Sequence, residues 1–123
     1  MGLDSYAKEM PKSWVIDDFN YKQDRFHEPH EIAYWRKHWD LHNFFQERYT
    51  AKGGTQEFNC VAVRIEEDDL NLLEKFVTAS TLQEAFDHPW SSAEEIMRDY
   101  TTFIKRARDV LAEDNALYFY SWY

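Results

Sequence analysis

Residues 33–45 read AYWRKHWDLHNFF, and the interpretation of this aromatic stretch decides the fold that the chain is expected to have. Apolar side chains recur in and around it at spacings of three and four residues, which is the period of an α-helix. Pro29 suits the start of a helix, and Gly53-Gly54 is a typical stop signal. The pattern therefore predicts one long helix from about Pro29 to Tyr49. Its main apolar face comprises Ile32, Trp35, Trp39, His42, Phe45 and Tyr49.

Most of the circumference of this predicted helix is apolar. Tyr34, His38, Leu41 and Phe44 broaden the apolar face. The polar strip that remains comprises Arg36, Asp40, Asn43 and Glu47. A helix that is apolar on most sides is typical of the centre of a fold, where other elements cover it. The sequence therefore places this helix in the core.

Three further segments have the composition and alternation of β-strands. Residues 2–8 are predicted to form the first strand, which ends before Pro11 because proline interrupts a strand ladder. Residues 58–65, FNCVAVRI, alternate apolar side chains on one face and form the second. The aromatic run LYFYSWY at residues 117–123 is the third.

Two more helices are predicted between the second and third strands. Residues 66–77, EEDDLNLLEKFV, place leucines at helical spacing behind an acidic opening that suits a helix N-terminus. Residues 78–90 form a connection with room for one helical turn. The next helix begins at the capping box Ser92–Glu95. Its buried stripe is expected to comprise Ile96, Tyr100, Phe103, Ala107 and Val110.

The resulting order, β-α-β-α-α-β, predicts a single α+β domain over residues 1–123. A small antiparallel or mixed sheet of about three strands is expected to be covered by about three helices. Residues 17–30 lack a clean period and are predicted to be a loop that carries three aromatic rings onto the core, namely Phe19, Tyr21 and Phe26.

The composition favours a folded, strongly acidic protein. The chain is 44% hydrophobic and 18% aromatic, whereas disordered chains are poor in aromatic residues. Its net charge of −9 disfavours direct contact with nucleic acid or a membrane surface. Such a charge suits a basic partner, including a nucleic-acid-binding protein that is engaged by phosphate mimicry, or it serves solubility alone. A homo-oligomer is left open.

The single cysteine and the hydropathy pattern bear on location. Cys60 has no second cysteine to pair with, which favours a reducing compartment. No run of 18 apolar residues is present, and the opening MGLDSYAKEM lacks the apolar region of a signal peptide. We therefore expect a soluble protein of the cytoplasm.

The histidines raise the question of a metal site. His38 and His42 are four residues apart, so on one helix they can approach a shared metal ion. A catalytic zinc needs a third protein ligand, and the sequence selects none. The alternative is a pair of packed or hydrogen-bonded histidines. A metal-dependent hydrolase that uses this pair is therefore the third-ranked hypothesis, and no cofactor is expected.

The other catalytic patterns are weak. Cys60 stands in the predicted second strand beside apolar residues, where a thiol is an inert small hydrophobe. The acidic run at residues 66–69 is interpreted as solvated, and Gly53-Gly54 lacks the strand–loop–helix order of a phosphate site. We therefore expect no catalytic residue.

A ligand pocket is the remaining candidate. Arg36 and Lys37 stand beside aromatic rings, a combination that recognises planar or anionic ligands by stacking and forked hydrogen bonds. The alternative is an ion pair between Arg36 and Asp40 on the helix surface. The candidate ligand-binding residues are Tyr34, Trp35, Arg36, Lys37, His42, Ser121 and Trp122.

Short motifs along most of the chain resemble a family of small proteins of tailed bacteriophages and prophages. These motifs are MGLD at the start, YWRK followed by LHNFF, NC before a strand, and YSW near the end. The matching positions are Gly2, Leu3, Asp4, Tyr34, Trp35, Arg36, Lys37, His42, Phe45, Cys60, Ser121 and Trp122. The chain departs from the family in having Phe44 in place of a tryptophan, one serine before Trp122, an added Tyr123, and no Gly-Phe-Phe-Phe-Gly segment near residues 78–92. The resemblance implies an accessory protein made in the cytoplasm of a host bacterium.

Two functional hypotheses lead. The first is a non-catalytic phage protein that binds and modulates a host protein, in counter-defence or host takeover. The second is a small-ligand binder that sequesters a nucleotide-type molecule in the aromatic and basic pocket, since a base can stack on a ring while a cation pairs with phosphate.

Overall fold

The fold is given by a computed structural model that describes residues 2–22, 26, 28–78 and 93–123. Its elements are β1 (Asp4–Pro11), β2 (His30–Arg36), α1 (Trp39–Ala51), β3 (Val61–Arg64), α2 (Glu67–Thr78), α3 (Ala93–Ala112) and β4 (Asn115–Trp122). The strands form one antiparallel sheet of four strands in the order β2-β1-β4-β3. The α+β class is confirmed. The predicted count of about three strands and the predicted order are wrong, because β2 stands where a helix was expected.

The predicted helix from Pro29 to Tyr49 divides into a strand and a helix. In β2, one extra residue opposes β1, because Ala7 pairs with Ala33 whereas Lys8 pairs with Glu31. This β-bulge interrupts the strand alternation, so that Ile32 and Trp35 are both buried at a helix-like spacing. The bulge therefore gave the strand the apparent period of a helix.

The division falls at Lys37, whose φ of 62° lies in the left-handed region. The backbone N–H of Lys37 donates to the Leu3 carbonyl at 2.7 Å and thus ends the β1–β2 ladder. Helix α1 begins two residues later at Trp39, and it buries Leu41 and Phe45 against the sheet. The second half of the predicted helix is therefore confirmed.

The helices cover one face of the sheet. Side chains alternate between the two faces along each strand, so Phe119 of β4 and Val63 of β3 point into the same core. Phe45 of α1 stacks on Phe119 with ring centroids 4.1 Å apart. The predicted stripe of α3 is confirmed, since Ile96, Tyr100, Phe103, Ala107 and Val110 are all buried. Of its predicted capping box, Ser92–Glu95, the structure describes the side chain of Glu95 alone. The side chains of the connection at 78–90 lie outside the described part of the chain.

The segment that follows β1 covers part of the opposite face. Tyr118 of β4 donates a hydrogen bond to the Asp17 carbonyl at 2.5 Å, and its ring lies 5.0 Å from that of Tyr21. Burial raises the pKa of Tyr118 to about 12. The predicted loop thus carries Phe19 and Tyr21 onto the protein, but the prediction is wrong for Phe26, which is 75% exposed.

No helix within the described ranges combines the length and the apolar character that a membrane crossing requires.

Candidate functional site

The uncovered part of the sheet carries a row of three tyrosines on three neighbouring strands. Tyr34 of β2 pairs with Tyr6 of β1, and Tyr6 pairs with Tyr120 of β4, so the three rings lie side by side. The ring centroids are 5.2 Å apart for Tyr34 and Tyr6 and 6.5 Å apart for Tyr6 and Tyr120. We call these residues the tyrosine row. Aromatic pairs at such distances stabilise each other across strands, so the row is a preformed surface.

Charged groups flank the tyrosine row. The Lys8 ammonium lies 5.5 Å from the Tyr6 ring centroid and 5.2 Å from that of Tyr120, within the range of a cation–π contact. The Tyr34 hydroxyl donates to the Asp4 carboxylate at 2.5 Å, and this hydrogen bond is the main cause that raises the pKa of Tyr34. These contacts hold the rings in place from both sides.

Two further side chains extend this surface along the strand ends. Arg36 and Trp122 both pair with Asp4 in the sheet, so they share its face. Trp122 is 44% exposed and Tyr34 is 48% exposed, which is unusual for such large rings. We define the open face as the tyrosine row together with Asp4, Lys8, Arg36 and Trp122.

The predicted ligand-binding residues do not meet in one pocket. Strand alternation sends Tyr34, Arg36 and Trp122 to the open face and sends Trp35 and Ser121 to the helix-covered face. Trp35 is buried, and its indole N–H donates to the Asp99 carboxylate at 2.8 Å. An exposed ligand therefore has no route to stack on Trp35 and Trp122 together.

The two predicted cations, Arg36 and Lys37, lie together at the end of β2. Arg36 is exposed, and no ion pair joins it to Asp40, although the structure describes both side chains. Lys37 lies at the turn between β2 and α1, where its backbone is held by the bond to Leu3. Both cations thus lie at the edge of the sheet that β2 forms.

His42 belongs to a buried polar cluster beneath the sheet. Its Nδ1 lies 2.6 Å from the Ser121 hydroxyl, and its ring packs against Phe58 with centroids 5.0 Å apart. Burial lowers the pKa of His42, so the imidazole is neutral. Ser5 pairs with Ser121 in the β1–β4 ladder, and its buried hydroxyl makes no hydrogen bond to the described residues. A serine–histidine pair is present, but both side chains are enclosed, which leaves a substrate no access to the hydroxyl.

The two histidines of the metal hypothesis engage different partners. His38 lies before α1, and its Nδ1 is 2.6 Å from the Tyr100 hydroxyl. Burial raises the pKa of Tyr100, so this phenol stays protonated. His42 instead faces Ser121. Within the part of the chain that the structure describes, no group of three or more His, Cys, Asp or Glu side chains is placed to hold a metal ion.

Cys60 lies outside the strand that the sequence predicted for it. Strand β3 begins at Val61, and Cys60 is exposed with a φ of 61°. It lines a cleft of about 310 Å³ next to Tyr49 and Tyr120. The pKa of Tyr120 is raised mainly by burial and to a smaller extent by a hydrogen bond with the Cys60 thiol. The prediction that Cys60 is packed within the strand is wrong, because the chain turns at its positive φ before β3 begins and leaves the thiol exposed.

Sequence reasoning missed Tyr6, Lys8 and Tyr120, which form the centre of the open face. The signal was available as alternation, because Tyr6 and Lys8 are two residues apart, as are Tyr120 and Trp122. The sequence analysis assigned residues 2–8 and 117–123 to strands but did not use this alternation to divide their side chains between two faces. The register between the strands, which brings the rings together, is not readable from the spacing.

The fold and the open face define the chain as a small α+β protein whose antiparallel sheet is covered by helices on one side and presents aromatic side chains on the other. Comparison of the chain with protein-family models, with curated proteins and with solved structures finds no match.

Proposed function

We propose that this chain is a non-catalytic protein that binds a protein partner on its open face. The observation that carries the proposal is the tyrosine row, in which Tyr34 is exposed and Tyr6 and Tyr120 are half-buried, with the exposed Arg36 and Trp122 beside it. Tyrosine, tryptophan and arginine dominate the residues that contribute most to protein–protein affinity. They supply large contact areas, and their few rotatable bonds limit the entropy lost on binding.

The charge distribution favours a protein over a nucleic acid as the partner. Aromatic rows on sheets can stack on single-stranded bases, but such sites combine the rings with a positively charged groove. On the open face, Lys8 and Arg36 are offset in part by Asp4, and the whole chain carries a net charge of −9. The phosphate backbone would meet an unfavourable field over most of the molecule.

The proposal extends to a host protein as the partner. The phage-type motifs of the chain include Tyr34, Arg36 and Trp122, which all lie on the open face. A small accessory protein of a phage that binds without catalysis would act by occupying a surface of a host protein, in counter-defence or host takeover. The acidic character of the rest of the molecule suits a host protein that itself binds nucleic acid.

The experiment compares variants in affinity capture from a bacterial lysate. The Tyr6→Ala/Tyr34→Ala double variant removes two rings of the row, whereas Leu72→Ala removes an exposed apolar side chain from α2 on the helix side. We expect a protein that is retained by the unmodified chain and by Leu72→Ala but not by the double variant. With the purified partner, calorimetry should then give a loss of at least about 2 kcal/mol for the double variant. Retention of the same proteins by all three chains would contradict the proposal.

The nucleotide-binding alternative has less support from the geometry. The cleft beside Tyr34 and Arg36 is also lined by Glu95 and Asp99, whose negative charges oppose a phosphate. A thermal-shift comparison with mono-, di- and trinucleotides tests it, because a ligand at a hundredfold excess over its Kd adds about 2.7 kcal/mol of stability. We expect no shift.

A further inference from the structure

The outer edge of β2 carries backbone groups that point away from the sheet. In an antiparallel ladder, alternate residues turn their N–H and C=O groups toward the same neighbour. The bond from the Lys37 N–H to the Leu3 carbonyl sets this alternation, so that Tyr34 and Arg36 direct their backbone groups outward. Strand β2 is at the edge of the sheet, and no strand among the described residues pairs with that side.

Helix α3 runs beside this edge and forms one wall of a groove. Asp99 holds the Trp35 indole at 2.8 Å, and Arg106 donates to the Ile32 carbonyl at 3.1 Å. The groove has a volume of about 390 Å³. It is lined by Tyr34, Trp35, Arg36, His38, Glu95, Ile96 and Asp99.

The groove has one closed end. The guanidinium of Arg106 already donates a hydrogen bond to the outward carbonyl of Ile32, and the bulge at Ile32 distorts the strand there. Both features prevent pairing beyond that point. The edge that remains, from Tyr34 to Arg36, matches an extended segment of about three residues, or roughly 10 Å.

We infer that this groove binds an extended, basic segment of a protein partner, which adds to the sheet as a fifth strand beside β2. Backbone hydrogen bonds to Tyr34 and Arg36 supply affinity in this mode, and pockets for alternate side chains supply specificity. Glu95 and Asp99 place two carboxylates on the α3 wall against the single cation of Arg36, so the lining favours lysine or arginine in the segment that enters the groove. The net charge of −9 draws a basic segment toward the molecule.

A second copy of the chain fits the groove less well. Two copies paired through β2 would bring their Glu95 and Asp99 carboxylates toward one another, and each chain carries the same net charge of −9. Like charges that face each other oppose association. A small anion is disfavoured for the same reason.

The inference goes beyond the proposal for the open face: Tyr34 and Arg36 belong to both surfaces, but the groove uses their backbone groups together with Glu95 and Asp99 of α3. It can be tested with peptides. A display library of random dodecapeptides is selected on the folded chain, and the enriched sequences are synthesised. We expect enrichment of lysine and arginine at alternating positions. Absence of any enriched sequence, or enrichment of acidic sequences, would overturn the inference.

Two variants locate the binding of a selected peptide. Arg36→Pro removes one outward N–H and leaves the bonds between β1 and β2 in place, because proline is tolerated at the outer side of an edge strand. Glu95→Lys reverses one charge on the α3 wall. Each should weaken the peptide at least tenfold, whereas Glu47→Lys on α1, which makes the same charge change elsewhere, should not.

Hydrogen exchange gives an independent measurement if the proline variant folds poorly. In the unmodified chain, the amides of Tyr34 and Arg36 point outward and should gain protection when the selected peptide is added. Equal exchange with and without peptide would refute strand addition even if the peptide binds. The Tyr6→Ala/Tyr34→Ala variant tests capture of the host protein, and Glu95→Lys, which leaves every side chain of the open face in place, tests peptide binding. Failure of one proposal can therefore be told from failure of the other.

Discussion

Replacement of Asp69 by alanine is expected to remove a central connection between α1 and α2. Asp69 is only 1% exposed, yet its carboxylate accepts three hydrogen bonds. The donors are the Arg48 Nε at 2.7 Å, the Lys52 Nζ at 2.6 Å and the Glu66 backbone N–H at 2.7 Å. The last of these satisfies an N–H at the start of α2 in the manner of a capping box.

The size of the effect follows from what the variant leaves behind. Loss of one partner of a buried ion pair costs about 3–5 kcal/mol, because the other charge stays buried without compensation. Lys52 is 11% exposed, but it keeps the Arg64 carbonyl at 2.6 Å and the Glu66 carboxylate at 3.3 Å, so the lower end of that range applies to the pair. The lost cap adds about 1 kcal/mol. We therefore expect Asp69→Ala to lower the free energy of unfolding by about 4 kcal/mol.

Denaturant unfolding, followed by circular dichroism at the helix band and by tryptophan fluorescence, measures this loss. Asp68→Ala is the matched control, because Asp68 is the exposed neighbour in the same helical turn and should change the stability by less than about 0.5 kcal/mol. Asp69→Asn keeps an acceptor without the charge and should lie between the two. Equal stability of the Asp68 and Asp69 alanine variants would refute the reasoning.

Two further predictions concern His42 and Cys60. Burial lowers the pKa of His42 below 6.5, so the unfolded state binds a proton more readily than the folded state does. The stability that depends on the neutral ring is therefore present above pH 6.5 and is lost as the pH falls below that value. The stability advantage of the unmodified chain over His42→Gln should therefore shrink with falling pH by up to about 1.4 kcal/mol per unit, and a constant difference between pH 7.5 and pH 5 would contradict the assignment. At Cys60, the φ of 61° costs a residue with a side chain about 1–2 kcal/mol, most of all a β-branched one. In thermal unfolding, Cys60→Gly should be at least as stable as the unmodified chain, and Cys60→Val should be less stable by about 1 kcal/mol or more. Equal Tm values for the two variants would contradict the presence of backbone strain at Cys60.

Much of the fold could be predicted from local patterns. Strand β1 was predicted at residues 2–8 and is formed by Asp4–Pro11. Strand β4 was identified from its β-rich aromatic composition, and β3, α2 and α3 from the period of their apolar residues. Strand β2 was not, because the bulge at Ile32 replaces strand alternation by a spacing of three residues. The turn at Lys37 carries no glycine or proline that would have marked the boundary.

The candidate site was less accessible to sequence reasoning. Tyr34, Arg36 and Trp122 were identified as candidates, but Tyr6 and Tyr120 were not, because their position beside Tyr34 depends on strand register. Asp69 was interpreted as part of a solvated acidic run. Its burial depends on Arg48 and Lys52, which arrive from another helix, and such long-range pairing leaves no trace in local spacing.

The position of β4 has a consequence for synthesis of the chain on the ribosome. Residues 115–122 form a central strand that pairs with β1 on one side and with β3 on the other. Until that segment leaves the exit tunnel, β3 lacks its partner strand β4, and the ring of Phe45 lacks the Phe119 surface on which it stacks. Until residues 115–122 have emerged, the nascent chain therefore presents unpaired strands and apolar rings, and a product that terminates before residue 115 would be a substrate for chaperones and proteases.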